Sequence, residues 1–554
     1  MADRYLIGTG ARNWNNTAVW SDVSGGSGGF SVPTSVDNVT FDANSGTGTI
    51  TVNSIANMLD FTCSNIGALT LSNSAYAFNV YGSLTLHTSL TVTFTSTGYL
   101  YMKATDSRTI TTNGKVANWN RMYFDGVGGT WTNQDDMNVG SGSIYFSNGT
   151  YNTNNYNVSS NRFNSEAGTS IINLGSSNIN IVQCYMYIGT ITLNAGTSTI
   201  TINGTFLGGG KTFYNLIFIS DISQGNTSVG GFTCENLTCK NFSISNANIT
   251  VNNTLTVIGG NSSNSRYLIS NNTIGTPRTI TCNGTVTASN VDFRDITGAG
   301  SATWNLSAIT GGSGDCGGNS GITFTTAQAQ YFKKYASTAN VGDAANWFSD
   351  TALTVAGRVP LPQDLGSKFL ATSFNQTCTV TCNVPRTPCL DMSEVVNTVG
   401  LVLANAIFIH GGFRYNSTYV TVSGNFLITC DIHGKTVQNP LYLGATFINN
   451  FDLILSNTIA ELIIDSGRKV RFTAGTTQTI NKATIGANVT MDCVTASTYN
   501  LALTEIATAE NANIKGCTIT QDSKFFAEAN SVDSGNNNRV VFGDYFTPQE
   551  ILIE

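Results

Sequence analysis

The stretch SVPTSVDNVTFD, Ser31 to Asp42, returns as RVPLPQDLGSKF, Arg358 to Phe369, at an offset of 327 residues. The same shift lays Tyr5 on Phe332, Asn13 on Asn340, Ala18 on Ala345, Trp20 on Trp347, Val32 on Val359, Pro33 on Pro360 and Asp37 on Asp364 without a gap. Coincidences of this number at one offset mark an internal duplication, which limits the fold before any local signal does. After small insertions, Thr49 to Asp60 (TITVN…MLD) continues against Thr379 to Asp391 (TVTCN…CLD). The far ends correspond as well: SNVDFRDIT (Ser289 to Thr297) against ANIKGCTIT (Ala512 to Thr520), and DCGGNSGITF (Asp315 to Phe324) against DSGNNNRVVF (Asp533 to Phe542). The last pair shares D-x-G-x-N-x-x-[IV]-x-F.

The chain therefore reads as two tandem modules, 1–328 and 329–542, followed by a tail, 543–554. The modules open and close alike but differ by roughly a hundred residues in the middle, a difference that a solenoid absorbs by adding whole turns. Inside module one, T-I-T-x-N-G recurs in RTITTNGKV (Arg108 to Val116), STITINGTF (Ser198 to Phe206) and RTITCNGTV (Arg278 to Val286). Between these lie short segments alternating an apolar residue with Thr, Ser or Asn, which gives a strand one buried and one solvated face. Asn and Gly at their ends supply the positive φ of a sharp corner. Eight prolines in 554 residues suit long ladders, because proline removes a ladder donor. The best helix candidate, AELIIDSGRK (Ala460 to Lys469), is equally a strand and turn. The expected fold is all-β: two tandem parallel β-helix (β-solenoid) modules, with coils of about 20 to 25 residues and on the order of twelve coils in module one. Open ends of such a stack invite pairing with other chains. The Trp20, Pro33, Asp37 segment and its counterpart Trp347, Pro360, Asp364 are expected to be structural caps, with AQAQYFKKYASTA (Ala327 to Ala339) as the junction.

Composition narrows the function classes. Only 11% of residues are charged, yet 10% are aromatic and Val, Ile and Thr run throughout, so the chain reads as folded and β-rich rather than disordered. A net charge of −7 with 26 scattered basic residues argues against nucleic acid. No segment reaches eighteen uninterrupted apolar residues, and the N-terminus MADRYLIGTG lacks a signal-peptide pattern, so neither membrane insertion nor a classical leader is expected. Twelve cysteines are spread through strand-like contexts and read as small buried apolar residues. Cys378, Cys382 and Cys389 lack paired spacing, and with only His87, His410 and His433 present no metal site or cofactor is expected.

Hydrolysis of polysaccharide on a β-helix needs converging carboxylates. The candidates are Asp135 with Asp136, Asp343 with Asp350, and Glu461 with Asp465. Adjacent Asp135 and Asp136 point to opposite faces of a strand, and Asp465 sits in an ordinary D-S-G turn, so turn roles are favoured. Asp37 and Asp364 are expected to cap turns through Asx hydrogen bonds, with Ca²⁺ binding as the other reading. Trp14 and Trp20, with Tyr5, offer either a sugar-stacking platform or, preferably, a small core within the cap. The Thr-x-Thr strands suit a solvated face more than an ice-binding ladder. In the tail, Tyr545, Phe546, Ile551, Leu552 and Ile553 suit docking onto another protein or folding back on module two.

The W-x12-P-x3-D opening, the D-x-G-x-N closing motif and the Asn/Gly/Thr-rich rungs between them resemble long proteins of tailed bacteriophages, and related bacterial surface proteins, built from tandem β-solenoid modules. That resemblance implies a non-enzymatic virion component: a tail fibre, a spike, or a head-surface fibre or decoration protein. It further implies assembly in the host cytoplasm, capsid or tail proteins as partners, a homo-oligomer, and a host surface glycan as a possible ligand. A polysaccharide depolymerase and a bacterial surface adhesin are the alternatives.

Overall fold

The computed structural model describes residues 2–95, 97–115, 118–219, 222–223, 231–244, 247–260, 266–273, 275–333, 337–404, 407–416, 418–424, 428–429, 431–433, 436–443, 451–454, 456–521 and 524–543. The fold is all-β, a parallel β-solenoid of about 21 turns among the described residues. The chain divides into two compact units. The first comprises Met1–Thr256, Ile280–Val286 and Gly300–Ala302, and the second Val257–Thr279, Thr287–Ala299 and Thr303–Glu554.

In the first unit each strand bonds in register to its equivalent in the next coil. Val39 lies beside Phe61, Phe61 beside Leu84, and Leu84 beside Ile110. A second inward column runs Met58, Val80, Met102, Phe124, Phe146, each partnering the next. Neighbours in this column are 22 residues apart, the separation also of the bonded Asn57 and Asn79. All of these inward side chains are buried, and each contributes about 1.5–3 kcal/mol relative to exposure. Edge-on aromatic contacts link coil to coil, from Trp14–Phe78 at 5.4 Å through Phe78–Phe94 at 5.7 Å to Phe94–Trp119 at 4.8 Å. Asparagine makes the corners: nine of the thirteen described non-glycine residues with left-handed backbone are Asn, for example Asn113 and the Asn154–Asn155 pair.

The two opening segments share one construction, each within its own unit. Asp3–Leu6 pairs antiparallel with Trp20–Ser21 and parallel with Asn38–Phe41. Gln330–Phe332 pairs antiparallel with Trp347–Phe348 and parallel with Ser367–Lys368. A 3-10 turn precedes each tryptophan, capped by Asn16 on the Ala18 N–H in one and by Asp343 on the Ala345 N–H in the other, both at 3.0 Å. The indole N–H of Trp20 donates to the Trp14 carbonyl at 2.8 Å, and that of Trp347 to the Val341 carbonyl at 2.7 Å. Asp37 Oδ2 accepts the Thr34 N–H at 3.0 Å, and Asp364 Oδ2 accepts the Leu361 N–H at 2.8 Å. Pairing corrects one equivalence: Leu6 opposes Trp20 as Phe332 opposes Trp347, so Phe332 corresponds to Leu6 and not to Tyr5. Seven residues separate Phe332 from Asn340 where six separate Leu6 from Asn13, which hides the slip in a gapless comparison.

The D-x-G-x-N closing motif is a hydrogen-bond clamp. Asp315 Oδ1 accepts the Gly317 N–H and the Asn319 amide, both at 2.7 Å. Asn319 then donates to the Phe293 carbonyl at 2.8 Å and accepts the Ile296 N–H at 2.9 Å, binding the preceding coil. Asp533, Gly535 and Asn537 repeat this on Ile514 and Cys517. Phe293 thus matches Ile514, and Asp292 matches Asn513. The gapless pairing of Ser289–Thr297 with Ala512–Thr520 slips by two residues here.

Coils approach closely enough to require glycine in places. A Cβ on Gly142 falls 1.6 Å from the Trp119 carbonyl oxygen. Gly142→Ala is expected to cost about 1–3 kcal/mol through forced backbone displacement. Trp347→Ala, which empties a fully buried site, is expected to cost about 3–5 kcal/mol. Guanidinium titrations of the two variants check both.

Candidate functional site

The acids singled out in the sequence hold the coils together rather than facing one another. Asp135 reaches back one coil, accepting the Thr112 N–H at 2.7 Å, the Thr112 hydroxyl at 3.0 Å and the Gly114 N–H at 3.2 Å. Asp136 reaches forward to the Asn157 N–H at 2.7 Å. Asp343 caps its 3-10 turn, and Asp350 closes another by accepting from Thr354 and Val355. The Val355 N–H, with both donors of Thr354, holds the Asp350 carboxyl below its ordinary value. Glu461 pairs with Lys482 across one coil at 2.7 Å, and Asp465 is exposed at the following turn. Among the described residues no three of His, Cys, Asp and Glu gather as metal ligands. Trp14 and Trp20 are fully buried, ring centroids 4.8 Å apart, so they form core and offer no sugar platform. Pro33 and Pro360 lie in the opening segments just described, and the tail residues Tyr545, Phe546, Ile551, Leu552 and Ile553 lie outside the described residues.

Two constellations stand out instead. The first is a buried ion cluster in the second unit. Asp292, on the strand Val291–Arg294, has no exposed side-chain surface. Its Oδ1 accepts Arg266 Nε at 2.9 Å and Nη2 at 2.5 Å, and its Oδ2 accepts Arg386 Nε at 2.5 Å. Arg266 also donates to the Val291, Gly311 and Gly312 carbonyls, and Arg386 to the Arg266 carbonyl. The cluster joins the last coils before residue 328 to the strand Arg386–Met392. Gln363 joins the same two regions, accepting the Asp315 N–H at 2.9 Å and donating to the Ser313 and Thr325 carbonyls. Beside them opens a cleft of about 580 Å³ lined by Arg266, Asn290, Asp343, Arg358 and Leu361. Its two arginines are already committed, Arg266 to Asp292 and Arg358 to Asp364.

The second is an aromatic and cationic face on the first unit. Alternation that turns Leu100, Met102, Met122, Phe124, Ile144 and Phe146 inward leaves their neighbours on the outer side, where Ser143 and Tyr145 are covered and buried in turn. One outer row runs Asn57, Asn79, Tyr101, Tyr123, Tyr145, Asn164, Tyr185. The next runs Tyr99, Arg121, Ser143, Arg162, Gln183. Tyr101 stacks on Tyr123 at 4.8 Å and Tyr123 on Tyr145 at 4.7 Å. The Arg121 guanidinium lies over Tyr99 at 5.1 Å and Tyr145 at 5.3 Å and donates to the Tyr123 hydroxyl at 3.3 Å. Arg162 lies over Tyr185 at 5.0 Å and donates to Gln183 Oε1. Sequence reasoning missed this face, although Tyr101, Tyr123 and Tyr145 recur at the coil period and were there to be found.

Of the eleven described cysteines all but Cys389 are buried. Burial pushes the thiols of Cys184, Cys239, Cys382 and Cys517 up to about 12, leaving almost no thiolate at neutral pH. Iodoacetamide labelling of the native chain, read by peptide mass spectrometry, is expected to spare these four and to modify them once guanidinium unfolds it. For Asp292, burial alone raises the carboxyl, but the charges and hydrogen bonds of Arg266 and Arg386 together outweigh it and hold it below 3.8. Its contribution is therefore present above the ordinary carboxylate range and lost as pH falls through the lowered value. Asp292→Asn leaves two buried guanidiniums unneutralised and is expected to cost about 3–5 kcal/mol at pH 7. Denaturation at pH 7 and pH 3 is expected to show that penalty shrinking in acid. No protein-family model, no curated protein and no solved structure matches the chain.

Proposed function

We propose that this chain is a non-enzymatic structural component of a bacteriophage particle, a tail fibre, spike or head-surface fibre or decoration protein, that serves host-surface attachment or virion surface display. The observation that carries the reading is the in-register solenoid whose duplicated opening and closing segments are built alike while the coils between them vary in number. Such a plan gains length by adding coils and needs no catalytic centre. The engagement of Asp135, Asp136, Asp343, Asp350 and Glu461 in turn and inter-coil bonds supports it against a depolymerase. The outer tyrosine and arginine rows supply contact surface of the kind an adhesin needs. On this reading the chain assembles in the host cytoplasm as a homo-oligomer and mounts on capsid or tail proteins.

Gradient-purified phage particles from a lysate, probed by mass spectrometry and by immunogold labelling with antibody to this chain, are expected to carry it at a fixed copy number and position. Its absence from particles overturns the assignment. Incubation with host capsular or O-antigen polysaccharide is expected to release no oligosaccharide, and release establishes the depolymerase instead.

A further inference from the structure

We propose that the outer face formed by Tyr99, Tyr101, Arg121, Tyr123, Arg162 and Tyr185 binds an acidic polysaccharide, with Arg121 and Arg162 taking carboxylates on alternate sugar units. The inference rests on the adhesive part of the reading above and names its ligand class.

Three observations carry it. Arg121 and Arg162 are half-buried cations whose described contacts are tyrosine rings, a phenol and a carboxamide, with no carboxylate among them. Of the other charges of the face, Lys103 pairs with Asp125 at 3.1 Å, Asp125 also accepts from Asn148 at 3.0 Å, and Glu166 accepts from the neutral Asn164 amide at 3.0 Å and keeps its negative charge. The two arginines are thus the cations left for an anion, and rings flanking a guanidinium suit a sugar carboxylate whose C–H surface needs an apolar neighbour.

The second observation is spacing. Arg121, Ser143 and Arg162 occupy one row on three successive coils, so the Cα atoms of the two arginines stand roughly 9.6 Å apart along the stack. That is close to the length of an extended disaccharide, the repeat at which carboxylates recur in a polysaccharide alternating a uronic acid with a second sugar. Ser143 between them is buried, so the two guanidiniums are the charged groups that this row presents.

The third is a groove of about 300 Å³ further along the same strands, where the strand Arg121–Asn133 bulges after Asp125; it is lined by Val127, Gly129, Asn148, Thr150 and Ile171. Val127, 76% exposed, and Ile171 give it an apolar wall, and Asn148 links it to the Lys103–Asp125 pair.

The test is titration calorimetry of the purified full chain with hyaluronate, which alternates a uronic acid with a neutral sugar, and with neutral dextran. Hyaluronate is expected to bind and dextran not, with affinity falling as salt rises. Arg121→Ala and Arg162→Ala are each expected to weaken binding about tenfold or more. Arg121→Gln and Arg162→Gln, which keep a polar, hydrogen-bonding side chain but remove the charge, are expected to fall as far while melting at the wild-type temperature. Equal binding of dextran, affinity unchanged in the glutamine variants, or no binding of hyaluronate overturns the proposal. So does a change of oligomeric state in these variants without a change in glycan affinity, which assigns the face to self-association. Absence of the chain from phage particles leaves a positive result here intact and removes only the virion assignment.

Discussion

In-register parallel hydrogen bonding between successive coils is the constraint on which every other feature depends. It sets each side chain directly on its equivalent one coil away, about 4.8 Å off, so residues must be chosen for what they stack on. Apolar columns satisfy this easily. Like charges do not, since neighbours of one sign repel at that distance. This explains why only 11% of the residues are charged and why charges that do meet between coils are of opposite sign in the columns below. Asp452 meets Arg471, which faces Asp492 in the next coil, and Glu461 meets Lys482.

Asparagine answers the same constraint for neutral polar positions. A carboxamide both donates and accepts, so a column of them bonds to itself without a terminal mismatch at each step. Asn152, Asn173 and Asn194 form one such ladder, and Asn215, Asn236 and Asn253 another. The tyrosine row is the aromatic version, with rings satisfied by rings. The residue type that fills the corners thus also fills the polar columns, which accounts for the Asn-rich composition from two independent demands.

Much of this was legible in the sequence. Strand alternation and coils of about 20 to 25 residues were expected, and the recurrence of Trp20, Pro33 and Asp37 as Trp347, Pro360 and Asp364 locates two segments of like construction. What escaped was register. Tyr5 and Phe332 align by letter, but strand pairing equates Phe332 with Leu6, because an inserted loop residue leaves no trace in a short comparison. Asp292 escaped for another reason: on a strand it should face outward, and only Arg386, distant in sequence, turns that outward position into an interior one. The tyrosine face leaves a period in the sequence, Tyr101, Tyr123 and Tyr145, but a period alone does not say whether the rings point into the coil or away from it.

The difference between Asp292 and its counterpart Asn513 has a consequence for how such chains grow. Asp292 is enclosed by two arginines, whereas Asn513 is exposed and accepts only a serine hydroxyl from Ser534. Val36, 57% exposed, stands where Gln363 bonds the preceding coils. The matched segments thus differ at the positions that bond one coil to the next, and a handful of substitutions at such positions separates an adhesive seam from a bare one. Lineages that lengthen or shorten such proteins by recombination would be expected to succeed by exchanging whole inner windings, where every surface already fits its neighbour, and to fail at junctions where the complementary residues have not yet arisen.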